Sequence, residues 1–309
     1  MTHDGSDETR NGALAVSTHA LSKKYGGETA LDRVDLRVPE GAVYVLIGAN
    51  GAGKSTVLKV LMNLERADAG SAQIFGLDSA RQGPEVRARV GYIPERQDAG
   101  YRWMTCGRLL QHVAAFYPTW DSAYAERLAQ ALEIRPAQKV GALSKGGARR
   151  LQFVLALAHR PPLLLLDEPT DGLDPVIRQR ALAMLAEHLA DTQATVLIVT
   201  HRIYEVESLA DHVGVLRQGT LVAQMPREEL QRTVRRYQVE VPDGWEAPPG
   251  LVIVGPRRSS NGRHVQWTVV GEERDVTERL ALAGAQVREV TPLRVEDAAL
   301  AFIPDEGTR

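Results

Sequence analysis

The chain has 309 residues, 44% of them hydrophobic and 25% charged, with a formal net charge of −2. That length holds one large domain or a domain with an appendage, and the near-neutral charge excludes the global basic field of a protein that coats nucleic acid or an anionic membrane. The single cysteine, Cys106, excludes an internal disulfide and fits a reducing compartment.

The polar start MTHDGSDETRNG, residues 1–12, lacks the apolar core of a signal peptide and is expected to be an unstructured tail. VDLRV (34–38) and SAQIF (71–75) read as strands with one wet face. AVYVLIG (42–48), LLLLD (163–167) and TVLIVTH (195–201) are apolar on both faces, which predicts a largely parallel sheet covered by helices. Between Tyr92 and Leu163 the pattern turns helical in MTCGRLLQHVAAFY, SAYAERLAQALEI and KGGARRLQFVLALAH, predicting an inserted helical subdomain at about 92–162. From about Thr233 the composition shifts again. RRYQVEVPD, GLVIVGPRR and HVQWTVV read as strands, with SSNG as a hairpin turn between the last two. A helix DVTERLALAG, a strand QVREVTPL and a helix VEDAALAF complete a βββαβα-like appendage over 226–309. No stretch approaches the roughly 18 consecutive apolar residues of a membrane span, so any membrane role needs a separate chain to do the spanning.

Gly48-Ala49-Asn50-Gly51-Ala52-Gly53-Lys54-Ser55 matches G-x-x-x-x-G-K-[ST] at every fixed position. Glycines let backbone N–H groups turn inward around phosphate oxygens, and the following helix, which opens at Ser55 and Thr56, offers its positive end. Lys54 is expected to reach the β- and γ-phosphates, and the Ser55 hydroxyl to ligate Mg²⁺. The context agrees, with a strand before the loop and STVLKVLMNL as a helix after it. In LLLLDE a buried strand then delivers two acids where such proteins hold the metal. Asp167 is expected to hold Mg²⁺ through its waters, and Glu168 to act as general base on the attacking water.

Leu143-Ser144-Lys145-Gly146-Gly147, followed by ARRLQFVLALAHRP and the acidic strand, resembles the signature loop and helix of ABC ATPases. That loop is normally LSGGQ; here lysine replaces the first glycine. Ser144 is expected to cap the helix. Other residues match family elements in order. Tyr25 matches the aromatic that stacks on adenine, Asp171-Gly172-Leu173-Asp174 the D-loop, and His201 the switch histidine that contacts the γ-phosphate. Asp174 is also a helix N-cap before Pro175. One departure is Glu95, which stands where the family usually carries a metal-contacting glutamine; Gln97 is a possible substitute. The resemblance spans about Leu14 to Met225, with MTCGRLL, AFYPTWD and LRVEDAALAF most like ATPase subunits of ABC-2-type exporters.

The resemblance implies an α/β P-loop NTPase of ABC type over 13–225, with a mixed-sheet core, a helical subdomain and a small α+β appendage. It implies hydrolysis of Mg-ATP between two copies. Lys54, Ser55, Asp167, Glu168 and His201 would act from one side and Ser144, Gly146 and Gly147 from the other. The partners implied are a second ATPase subunit and a membrane-spanning transporter subunit, on the cytoplasmic face of the membrane, with no nucleic acid. Two other readings are a soluble ABC ATPase not tied to transport and a regulatory ATP-binding module; Glu168 argues against the last. The appendage is expected to be dispensable for nucleotide chemistry, because every phosphate-contacting candidate lies upstream of it.

Overall fold

The computed structural model describes residues 12–96, 99–242, 244–254, 258–260 and 264–303. Residues 1–11 of the expected tail, Gln97 and the Asn-Gly pair of the SSNG turn lie outside them.

The central sheet has six strands in the order Thr220–Pro226, His212–Arg217, Val43–Ile47, Thr195–Thr200, Leu163–Asp167, Val90–Ile93. All neighbours pair in parallel except the first two, which form an antiparallel edge. Alternate residues of these strands enter two separate cores. Val43, Val45, Leu164 and Leu166 face one core, with Ile177 and Leu185 of the long helix Pro175–Thr192. Tyr44, Leu46, Leu163 and Leu165 face the other. This is why the strands read as unbroken apolar runs. Each leucine of LLLL contributes about 1.5–3 kcal/mol by burial, enough together to hold a carboxylate at the strand's end.

The second core is closed by the helix Lys54–Leu61 and by an antiparallel sheet built on the long strand Leu14–Tyr25. The first is closed by the helical subdomain, with helices Cys106–Ala114, Ser122–Ala131 and Lys145–Leu157. Tyr92 belongs to the edge strand of the sheet, so the helical elements begin later than that residue.

A third, antiparallel sheet lies in the appendage, in the order Val252–Ile253, His264–Val270, Val234–Glu240, Gln286–Pro292, with Arg258–Ser260 also paired to His264–Val270. Val252 and Ile253 of the stretch GLVIVGPRR form one short strand, and its last residue, Arg258, opens the strand Arg258–Ser260. Tyr237, Val239, Trp267, Val269 and Leu280 form a local core, where Trp245 stacks on Trp267 at 5.2 Å. The first and last appendage helices, Arg227–Thr233 and Val295–Leu300, do not join that core. Leu230, Val234, Leu293, Val295, Ala298 and Ala299 are buried in the first core beside the sheet.

Candidate functional site

The phosphate loop begins where Val43–Ile47 leaves the sheet. At Gly48 a Cβ would meet Leu216 O at 2.3 Å; Gly53 has φ 102° and a Cβ there would meet Ala30 O at 2.2 Å. Both positions require glycine. Asn50 and Gly51 are exposed at the tip, whereas Ala52 is buried and its carbonyl accepts from Gly219 N at 3.0 Å. Lys54 and Thr56 are buried at the helix start. Lys54 Nζ donates to Gly48 O at 2.8 Å and Ala49 O at 3.0 Å. Burial pulls its ammonium below the usual lysine range, opposed by the charges of Glu168, Asp167 and Glu95.

Asp167 ends its strand at 1% exposure. Burial lifts its carboxyl to about 6; a hydrogen bond from the Ser55 hydroxyl and the charge of Lys54 oppose this, while Glu95 and Glu168 add to it. Its Oδ1 has no hydrogen-bond partner among the described residues. A buried carboxylate oxygen left unpaired is costly, and a cation shared with the Ser55 oxygen would satisfy it. No group of three or more His, Cys, Asp or Glu ligands occurs among the described residues. The Asp167 carboxylate oxygen and the Ser55 hydroxyl are hard oxygen donors of the kind Mg²⁺ takes, one or two from protein with water and phosphate completing its shell.

Glu168 takes φ 44°, the left-handed region that a side chain disfavours. Its Oε2 accepts from Thr200 Oγ1 at 2.8 Å, and its Oε1 from His201 N at 2.9 Å. His201 Nδ1 lies 2.7 Å from the same Oε1, and Arg202 Nε donates to His201 Nε2 at 3.2 Å. The assignment that satisfies both puts the ring proton on Nδ1, donated to Glu168. A carboxylate offers about four lone-pair sites. The three donors found among the described residues fill three, which leaves one for the proton of a water.

The loop Leu143 to Gly147 meets a different neighbour. Ser144 Oγ accepts from Gly147 N at 3.1 Å and caps the helix Lys145–Leu157. Lys145 Nζ donates to Asp171 Oδ2 at 2.6 Å. A Cβ on Gly146 would meet Gly172 O at 2.5 Å. Signature-type residues thus pack on residues 171–172 of their own chain. Asp174 caps the long helix by accepting from Val176 N and Ile177 N, both at 3.1 Å.

A family model described as ABC transporter matches residues 31–171. The chain is 32% identical over 224 residues to the ABC transporter ATP-binding protein YtrB of Bacillus subtilis (strain 168), spanning 72% of this chain and 76% of that one. This chain belongs to the ABC transporter ATP-binding proteins. It is also 34% identical over 297 residues to the daunorubicin resistance ATP-binding protein DrrA2 of Streptomyces coeruleorubidus, spanning 93% of this chain and 91% of that one. A solved ATP-binding subunit of an ABC transporter matches its fold with a TM-score of 0.64 at 30% identity, covering 71% of this chain and 92% of that one. The fold is the P-loop NTPase of ABC type, and the protein is an ATPase.

Within this ABC cassette, Lys54, Ser55, Asp167, Glu168, His201 and Glu95 gather at the carboxyl ends of the parallel strands. Glu95 is exposed, and its charge reaches both Lys54 and Asp167. Tyr25 stands elsewhere, at the end of its strand in the antiparallel sheet, 41% exposed and with Lys23 Nζ 5.1 Å from its ring centre. Two site residues escaped the sequence reading. Arg149, 3% exposed, donates to Pro94 O at 2.7 Å, Glu95 O at 2.8 Å and, at 3.4 Å, Asp167 O. It ties the signature helix to both the Glu95 loop and the acidic strand. Its signal was an arginine on the same helix face as buried Phe153 and Leu157. Thr200 gave none, because a β-branched residue ending a strand is ordinary.

Proposed function

We propose that this ATPase binds Mg-ATP in a head-to-tail dimer and powers transport, most simply export, through a separate membrane-spanning protein. The carrying observation is the division of the site. The hydrolytic groups stand at the strand ends, whereas Lys145 and Gly146 of the signature loop are held against residues 171–172 of the same chain. A second copy placed head to tail would bring its signature loop to this phosphate loop. No helix among the described residues is long and apolar enough to cross a membrane, so transport requires another chain. The word resistance in the name of the Streptomyces coeruleorubidus relative favours export.

Lys54 would hold the β- and γ-phosphates, with the loop amides around them. Asp167 and Ser55 would hold Mg²⁺, which when bound offsets the phosphate charge. Glu168, fixed by Thr200 and His201, takes the proton of the attacking water at its free lone pair, help worth about 10²–10⁴-fold. Ser144, Gly146 and Gly147 of the second copy complete the site. Tyr25 would stack on adenine.

Glu168→Gln tests this reading. The amide keeps the size and removes the base, so ATP persists and the protein should elute as an ATP-dependent dimer in size-exclusion chromatography with Mg-ATP. Adding Ser144→Arg should return it to monomer. A Glu168→Gln protein that hydrolyses ATP normally, or a double variant that dimerises as well as the single one, would defeat the reading.

A further inference from the structure

We infer that the appendage takes part in hydrolysis: its last helix, Val295–Leu300, positions the segment that carries His201. The inference rests on the assignment of Glu168 and His201 as the hydrolytic pair. Two residues beyond His201 the chain makes two short 3-10 turns, Ile203–Glu205 and Glu207–Leu209. Turns this short do not hold their own shape and take it from what packs on them. One support is the long helix, from which Arg178 pairs with the buried Glu205 at 2.9 Å.

The other support is the appendage. The helix Val295–Leu300 packs against Ile203–Glu205, against the strand His212–Arg217 and against the helix Arg227–Thr233. Val295, Ala298 and Ala299 are fully buried in the same core as Ile203, Val206 and Ala210. Arg217 Nη1 donates to Phe302 O at 3.3 Å and ties down the end of this helix. Alanines at the contact allow close approach and leave no slack for a larger side chain.

From this contact the path to the reaction is short. Arg202 joins Ile203 to His201; its N donates to Thr200 Oγ1 at 2.9 Å, and its Nε holds the His201 ring. Thr200 and His201 in turn supply all three donors to the Glu168 carboxylate. A shift of the turns therefore moves the base and its orienting ring. Lys54, Ser55 and Asp167 do not belong to that chain of contacts. The helix should act on turnover and spare nucleotide binding. The expectation that the appendage is dispensable followed from where the phosphate contacts lie in the sequence; packing points the other way.

Ala298→Leu in the full chain tests this, with Val295→Ala, which loosens the contact instead of crowding it, as a second variant. With folding checked by circular dichroism, kcat should fall about tenfold, since small displacements of catalytic groups carry large rate effects. KM for ATP should stay within about twofold of the parent. In a His201→Ala background, which keeps the Thr200 hydroxyl and the main-chain N–H of residue 201 on Glu168, the same changes should cost less than in the parent, because the ring drops out of the path. The inference is overturned if both folded variants keep the parental kcat, if KM rises with the fall in kcat, or if the loss is as large without His201. If His201→Ala alone leaves turnover intact, the hydrolytic assignment itself fails, which is a separate result.

Discussion

At the carboxyl ends of the parallel strands, Lys54, Asp167 and Arg149 are buried with charges of both signs. Where the helical subdomain meets the long helix, His159 and His188 are buried as deeply, at 2% and 1% exposure, but neutral. The Tyr117 ring stacks on His159 at 3.9 Å and the Tyr124 ring on His188 at 6.1 Å. Burial pulls the His159 imidazole down to about 4 and that of His188 below its usual value. Among the described residues both regions hold polar atoms without a hydrogen-bond partner: Asp167 Oδ1 in one, His159 Nδ1 in the other. An orphaned atom therefore does not by itself mark a site. Three further features separate the strand ends: a glycine-built loop, opposed buried charges, and Glu168 held at φ 44°. The histidine pair has aromatic faces instead, with His188 Nδ1 3.4 Å from the Tyr124 hydroxyl.

The largest break in this contrast should come from Lys54→Ala. It removes the buried cation at the phosphate loop, and turnover should fall by at least about 10²–10³-fold, as for loss of a preorganised donor. The fold should survive, because the two Lys54 bonds go to carbonyls of its own loop. Near-parental turnover in a coupled ATPase assay would detach the loop from the reaction. Arg149→Met comes next, on stability. Hydrogen bonds from a charged donor are worth about 1.5–3 kcal/mol each. Losing the two short ones, to Pro94 O and Glu95 O, should lower the urea midpoint by the equivalent of about 3 kcal/mol. An unchanged midpoint would mean that the Glu95 loop is held by other contacts.

Acid separates the two regions differently. His159 has a folded value near 4 against an ordinary 6.5. Its contribution is complete above 6.5. As pH falls from 6.5 toward 4 the unfolded chain takes up a proton that the folded chain refuses, and stability drops by on the order of 3 kcal/mol. His159→Phe keeps a ring against Tyr117 and cannot charge. Its melting temperature should match the parent at pH 7 and exceed it at pH 5. Equal losses for both proteins between pH 7 and 5 would assign the acid sensitivity to other groups.

The strand ends were legible because their chemistry is local in the chain. Lys54 and Ser55 sit in one loop, Asp167 and Glu168 end one strand, and His201 ends another, so buried apolar runs announced where each would emerge. Arg149 was hidden because its partners are main-chain carbonyls, which leave no pattern in side-chain identity. The return of Val295–Leu300 to the ATPase core was hidden for another reason. Its apolar positions fit a local appendage core as well as the distant one, and periodicity names a buried face without naming what buries it. The pairing of Lys145 with Asp171 joins residues 26 apart in sequence, beyond any helical or strand spacing.

That pair gives the smallest expected effect, and it sharpens the contrast between exposed and buried charge. Lys145 is 68% exposed and Asp171 30% at the side chain, despite the 2.6 Å contact. Water screens such a pair to about 0–1 kcal/mol. The same lysine opens the helix Lys145–Leu157, where a cation opposes the helix dipole by about 0.3–1 kcal/mol. The two effects have opposite signs and similar size. Lys145→Met removes both, so the melting temperature should shift by less than about 2 °C. The carboxyl of Asp171, which the Lys145 hydrogen bond holds below the usual carboxylate range, should titrate at higher pH in the variant by NMR. Salt gives an independent check. Raising ionic strength to about 1 M shortens the screening length to about 3 Å, and parent and variant should then converge. A melting point lower by several degrees at high salt would show that the Lys145 stem, packed over Gly172, anchors the signature loop through contact rather than charge.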